Sequence, residues 1–456
     1  MAIDISTFTF DERDEFNRKA IASKVITLLN SDVDVSPMVI DGGWGTGKSE
    51  FCHKLMNMMK VAESHHLIYV DAFQADHADE PLLTILSELL KVLPEGEERN
   101  SFTKKAIPAV RYGLKTLVKA GVGHLLRQDA ADVVNDFDKE IQKAADKAID
   151  SSVESLLKDH VKANESINSL QKALQDIAAN KKIVLFVDEL DRCRPNFSAN
   201  MLEIIKHTFD VEGVQFVLIT NTSQLKASIN HCYGEAVDAQ RYLDKFLKFT
   251  FSLPNQVKTN SYTNTNASII HYQNLLRKSS ITQDTWLDRD SALSLVSHLI
   301  NISNISLREV ETLVRHIQVY QMLSNNEGFK SNTIIGYKLL RLIGVILFCF
   351  KPKLAAEMVD RKSDAKELGK FLGGEQIVKF EGEHPYPEHY QVILVMLGQE
   401  CFYSSKLFSP TEGENHDSWE GLISQYFKQS GYPPGKGERS KIVTDTIETL
   451  RLGAFY

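Results

Sequence analysis

Through Leu253 the chain alternates between two hydrophobic periods. Short apolar runs at Met38-Val39-Ile40, Leu67 to Val70, Ile183 to Val187, Val214 to Ile219 and Phe249 to Leu253 are bounded by polar or turn residues. Runs this short and this apolar read as strands, most of them buried on both faces of a parallel sheet. Between them, apolar residues recur at three- and four-residue spacing, which predicts helices over Glu50 to Met59, Pro81 to Leu93, Asn200 to Phe209, Ser223 to Ile229 and Asp238 to Phe246. Phe10 to Arg18 opens a further segment that leads into a helix through Leu29. Strand and helix in turn predict an α/β fold, a parallel sheet flanked by helices.

Two stretches leave this pattern. Between Ser101 and Asn180 no strand appears, and Val153, Leu156, Leu157, Val161, Ile167, Leu170, Leu174 and Ile177 keep helical spacing. Beyond Asn255 helical patterns run on, with polar breaks at Ser324 to Glu327, Gly373-Gly374 and Pro385 to Pro387. The expected organisation is therefore 1–100 and 181–255 as two halves of one α/β domain, 101–180 as a helical insertion, and 256–456 as an all-helical lid or effector domain.

Composition narrows the classes. With 456 residues, 43% of them hydrophobic, the chain has material for two or three full cores. A formal charge of -8 gives no general attraction to nucleic acid or to an anionic membrane. The small basic cluster in Tyr432 to Arg439 is too short to argue for nucleic acid by itself. Five cysteines, scattered and without a C-x-x-C pair, fit a reducing compartment and argue against structural zinc or a disulfide framework. The N-terminus lacks a basic flank followed by an apolar stretch, which argues against a signal peptide and for a cytoplasmic protein. Leu342 to Phe350 is the most apolar stretch, but about nine residues are too few to span a bilayer, which needs about twenty. It reads as a buried helix. Ile107 to Leu126 carries Arg111, Lys115 and Lys119 along one helical face and is no integral membrane segment either.

The chemistry is concentrated at the ends of the expected strands. Gly42, Gly47, Lys48 and Ser49 meet the pattern G-x-x-x-x-G-K-[ST], with a strand before it and a helix after it. Glycines let backbone N–H groups close on a phosphate, and the helix N-terminus adds partial positive charge. Gly42, Gly43, Trp44, Gly45, Thr46, Gly47, Lys48, Ser49 and Glu50 are thus the candidate nucleotide-binding set. Lys48 would neutralise the β- and γ-oxygens, and the Ser49 hydroxyl suits Mg2+. The strand Ile183 to Val187 ends in Asp188 and Glu189, the first a candidate Mg2+ partner and the second a candidate base for the attacking water. Capping of the next helix is the alternative role for either acid, and Asp191 competes with Glu189 for the catalytic role. Asn221 closes the next strand, where an amide would sense the γ-phosphate or orient water, or simply shape a turn.

Three cations remain. Arg241 stands at a plausible place for an arginine finger from a neighbouring subunit, a device worth about three to five orders of magnitude. A surface ion pair with Asp238 or Asp244 competes. Arg192 is a second finger candidate, or holds its loop by pairing with Asp191. Ser306-Leu307-Arg308-Glu309 is a capping box that puts Arg308 in the first turn of a helix. From a lid it would reach the phosphates; otherwise it is a solvated surface residue.

With these residues in view, the chain resembles a KAP-family P-loop NTPase. The resemblance rests on Trp44 within the loop, on Asp188-Glu189-Leu190-Asp191-Arg192-Cys193, on Val217 to Asn221 followed by Gln224-Leu225, and on Arg241 to Phe246. It covers roughly the first 255 residues, with a weaker echo at Ser306 to Glu311. Family members usually carry two aspartates where this chain has Asp188 and Glu189, and many insert transmembrane helices between the nucleotide motifs. The resemblance implies ATP and Mg2+ as ligands, hydrolysis, a homo-oligomer, and a setting in intracellular signalling or anti-phage defence. A protein partner is expected to dock through the helical insertion or the C-terminal domain. Three readings stay open: an ATP-driven conformational switch, a nucleotide-gated scaffold with little hydrolysis, and a P-loop kinase of a small molecule.

Overall fold

The computed structural model describes residues 5–452 apart from 79, 120–152, 261–262, 283–284, 379–386, 411–413 and 429–433. The centre of the expected insertion, part of the Pro385 to Pro387 break and Tyr432-Pro433 of the basic loop lie outside the described residues. The chain divides into two units, Met1–Leu253 and Pro254–Tyr456.

The first unit is built on a five-stranded sheet of β1 (Met38–Asp41), β2 (His65–Asp71), β3 (Lys182–Asp188), β4 (Val214–Thr220) and β5 (Phe249–Ser252), in the order β2-β3-β4-β1-β5. Every pairing is parallel. All five carboxyl ends therefore lie along one edge of the sheet, where ligands of such folds bind. Between the strands run α1 (Lys19–Asn30), which precedes β1, α2 (Lys48–Lys60), α3 (Pro81–Val92), α4 (Glu97–Lys119), α5 (Val153–Asn180), α6 (Pro195–Thr208), α7 (Thr222–Tyr233) and α8 (Ala239–Leu243). The expected α/β fold is what forms.

Residues of β3 alternate between two cores, as period two demands. Ile183, Leu185 and Val187 join Val39, Ile68, Phe216 and Leu218 on one face. Val184 and Phe186 join Met38, Ile40, Val217, Ile219 and the α2 residues Phe51 and Leu55 on the other. The described parts of the 101–180 segment share the first core. Phe102, Ala106 and Val110 of α4 and Leu170, Leu174 and Ile177 of α5 pack there with the strand residues.

The second unit holds α9 (Ala267–Lys278), α10 (Asp290–Ser303), α11 (Leu307–Leu323), α12 (Ile335–Phe350), α13 (Pro352–Val359), α14 (Ala365–Leu372), α15 (His389–Gly398), α16 (Glu414–Tyr426) and α17 (Glu438–Leu450). Its core draws on nearly all of them. Among the described residues its regular structure is helical apart from one antiparallel hairpin, β6–β7, in which Gln256–Asn260 pairs with Thr263–Asn266. The apolar run Leu342 to Phe350 belongs to α12, where Leu342, Ile343, Val345, Ile346 and Leu347 are buried. Among the described residues no helix is long and apolar enough to cross a membrane.

Candidate functional site

The phosphate loop leaves β1 at Asp41, whose carboxylate bridges its neighbours on both sides. It accepts from the Thr222 backbone N–H (2.8 Å) and from the Ser252 hydroxyl (3.3 Å), which clips the ends of β4 and β5 to β1. Two loop glycines are required. Gly47 caps α2 with φ 79°, a left-handed conformation that other residues adopt at a cost. A Cβ at Gly42 would come 2.9 Å from the Thr46 hydroxyl oxygen.

Lys48 is buried, and its ammonium donates to the Gly42 (2.6 Å) and Gly43 (3.0 Å) carbonyls of its own loop. Burial lowers its pKa; the Asp191, Asp188 and Asp41 carboxylates work against that shift. Those same three acids favour the charged form that a phosphate would meet. Glu50 pairs with Lys54 at 2.7 Å within α2.

Asp188 is only 1% exposed. Burial raises its pKa, and hydrogen bonds from the Ser49 hydroxyl, the Glu189 N–H and the Tyr69 hydroxyl pull it back, helped by Lys48. The Glu189 N–H lies 2.8 Å and the Tyr69 hydroxyl 3.0 Å from its oxygens. Ser49 and Asp188 thus place two hard oxygen donors in direct contact. This donor set fits Mg2+, which binds through one or two protein oxygens plus phosphate and water. Among the described residues no cluster of three or more His, Cys, Asp or Glu could hold an ion without such help.

Glu189 begins the turn after β3 with φ 60°, in the left-handed region, and its carboxylate pairs with Arg192 at 2.7 Å. Arg192 therefore pairs with Glu189 here, where the sequence suggested Asp191. Asp191 is buried and has both oxygens engaged, one by Thr220 Oγ1 (3.1 Å) and one by Trp44 Nε1 (2.6 Å). Asn221 uses its side-chain oxygen to cap α7, accepting from the Ser223 (3.1 Å) and Gln224 (3.4 Å) N–H groups. Arg241 is exposed in α8 and pairs with Asp238 at 3.3 Å, one of the two surface ion pairs weighed against the finger role. Arg308 is exposed in the first turn of α11, in the second unit, beneath a formed capping box.

Four contributors carried no sequence signal of their own. Arg18, 5% exposed, donates from its guanidinium to the Thr46 carbonyl (3.1 Å), tying the N-terminal segment to the phosphate loop. Burial lowers its pKa to about 10, against the pull of Glu50 and Asp14. Asp14 caps the start of α1 through the Arg18 (2.7 Å) and Lys19 (3.0 Å) N–H groups. Tyr69 and Thr220 act only through contacts across the sheet. Asp41 alone had a readable hint, since it closes its strand as Asp188 closes β3.

A strand–glycine loop–helix unit, with a buried carboxylate two strands away touching the loop's serine, defines a P-loop nucleoside triphosphatase domain, built to bind a nucleotide. More narrowly, the chain belongs to the KAP family of P-loop domains, whose model matches residues 18–324. No curated protein matches the chain.

Proposed function

We propose that the chain hydrolyses ATP and works as a conformational switch, with Glu189 as the base. The observation that carries this reading is the contrast between two adjacent carboxylates. Asp188 is buried on the Ser49 hydroxyl and suited to a metal, whereas Glu189 is half-buried and paired with a cation, Arg192. Mg2+, when bound, would offset charge on the β- and γ-phosphates. Lys48 would exchange the Gly42 and Gly43 carbonyls for phosphate oxygens. A γ-phosphate competes with Glu189 for Arg192, so nucleotide arrival would free the acid to align water. The resemblance to relatives in signalling and anti-phage defence supplies the expected setting, with oligomer contacts completing the site.

The test is steady-state phosphate release by wild type and Glu189→Gln, with nucleotide affinity measured alongside. Glu189→Gln should bind ATP as wild type does and lose turnover by about a hundredfold or more. Equal turnover in the two proteins would sink the hydrolytic reading and leave a nucleotide-gated scaffold. Accumulation of a phosphorylated small molecule would point to a kinase instead.

A further inference from the structure

We propose that Asp191 is a positioning residue that holds the phosphate loop through Trp44 and locks it to the end of β4. This deepens the hydrolytic reading above and rests on the same site. A carboxylate with 8% exposure costs free energy unless donors meet its oxygens. Here the two donors come from different elements: Thr220 Oγ1 from β4 and Trp44 Nε1 from the loop after β1. Trp44 is 52% exposed, so hydrophobic burial does not explain its placement; the indole N–H is what ties it down.

The bonds close a circuit. Asp41 at the end of β1 accepts from Thr222, two residues beyond the Thr220 that donates to Asp191. Asp191 then returns through Trp44 to the loop that Asp41 begins. A loop held at both ends of such a circuit is preorganised, and preorganisation improves affinity by lowering the cost of ordering. The geometry also bears on the choice of base. With each Asp191 oxygen already accepting a hydrogen bond from a protein donor, this acid is placed to orient protein groups.

Three variants separate the roles. Trp44→Phe keeps a ring and removes the N–H, Asp191→Ala removes the acceptor, and Asp191→Asn keeps an acceptor without charge. Affinity is read with a fluorescent ATP analogue and Mg2+, which needs no turnover. Trp44→Phe and Asp191→Ala should each weaken binding about five- to tenfold, and the double variant should be no weaker than the worse single one. Asp191→Asn, which keeps an acceptor for the indole N–H, should weaken affinity less than Asp191→Ala does. Losses that multiply in the double variant would overturn the circuit. Asp191→Asn that binds normally yet is as inactive as Glu189→Gln would make Asp191 the acid and overturn the positioning role. If Asp191→Ala does not fold, Thr220→Val paired with Trp44→Phe gives the same cycle on the other half of the bridge. A wild type without turnover would fail the hydrolytic reading alone, because the binding cycle still decides this one.

Discussion

At the scale of single residues, the site's groups differ in what they reveal to a reader of the sequence. That Lys48, Ser49 and Asp188 would come together was legible, because the phosphate-loop pattern and an acid at a strand end place those residue types at fixed offsets from strand ends. Arg18 and Tyr69 were not, because their importance comes from contacts made across 28 and 119 residues of chain. Buried histidine gives another such case. His65 is 7% exposed at the start of β2, and burial together with Lys182 and Lys181 holds its pKa below the ordinary 6.5. The folded protein thus binds this proton less readily than the unfolded chain. Its contribution to stability is complete above pH 6.5 and is lost as the pH falls below it, because the unfolded state takes up the proton first. His389 in the second unit, also lowered by burial, adds in the same direction. Thermal midpoints followed from pH 7 down to about pH 5 should therefore fall, and less steeply in His65→Gln than in wild type. Identical slopes would remove His65 from the account.

Among whole elements, local codes were readable and pairings were not. The capping box that starts α11 shows in four consecutive residues, and in the structure Glu309 accepts from the Ser306 N–H at 2.8 Å while the Ser306 hydroxyl accepts in return at 3.4 Å. Ser306→Ala should cost about 1 kcal/mol, read as a lower urea midpoint at unchanged slope. No change would mean that packing of Leu307, Val310 and Leu313 alone fixes where this helix begins. The hairpin β6–β7 escaped notice for a physical reason: its strands, Gln256–Asn260 and Thr263–Asn266, are polar throughout apart from Val257, so no period-two signal exists. The helices of the 101–180 segment were visible from their spacing. That Leu170, Leu174 and Ile177 would share a core with β3 was not, since periodicity reports a buried face and is silent on what covers it.

For the whole molecule, the proposed hydrolysis calls for one more cation to meet the charge of a transferring phosphoryl group. Within the first unit Arg18 is committed to the Thr46 carbonyl and Arg192 to Glu189, while Arg241 lies on the surface with its side chain 87% exposed. Its contact with Asp238, itself 57% exposed, is weakly held, as surface ion pairs are. A guanidinium so placed is available to a second copy of the chain. If it acts there, molar mass should rise with ATP and Mg2+, and turnover per chain should rise with protein concentration. Arg241→Ala should then bind nucleotide normally and lose at least about a thousandfold in turnover. The decisive arm is mixing. Lys48→Ala chains cannot hold the nucleotide but still carry Arg241, whereas Arg241→Ala chains hold the nucleotide and lack the cation. Neither hydrolyses alone, and together they should recover part of the wild-type rate, because each mixed interface rebuilds one complete site. Recovery requires that the cation cross between copies. Wild-type turnover by Arg241→Ala alone, or no recovery on mixing, would return Arg241 to a surface ion pair and leave Arg192 to meet the phosphates from within its own chain.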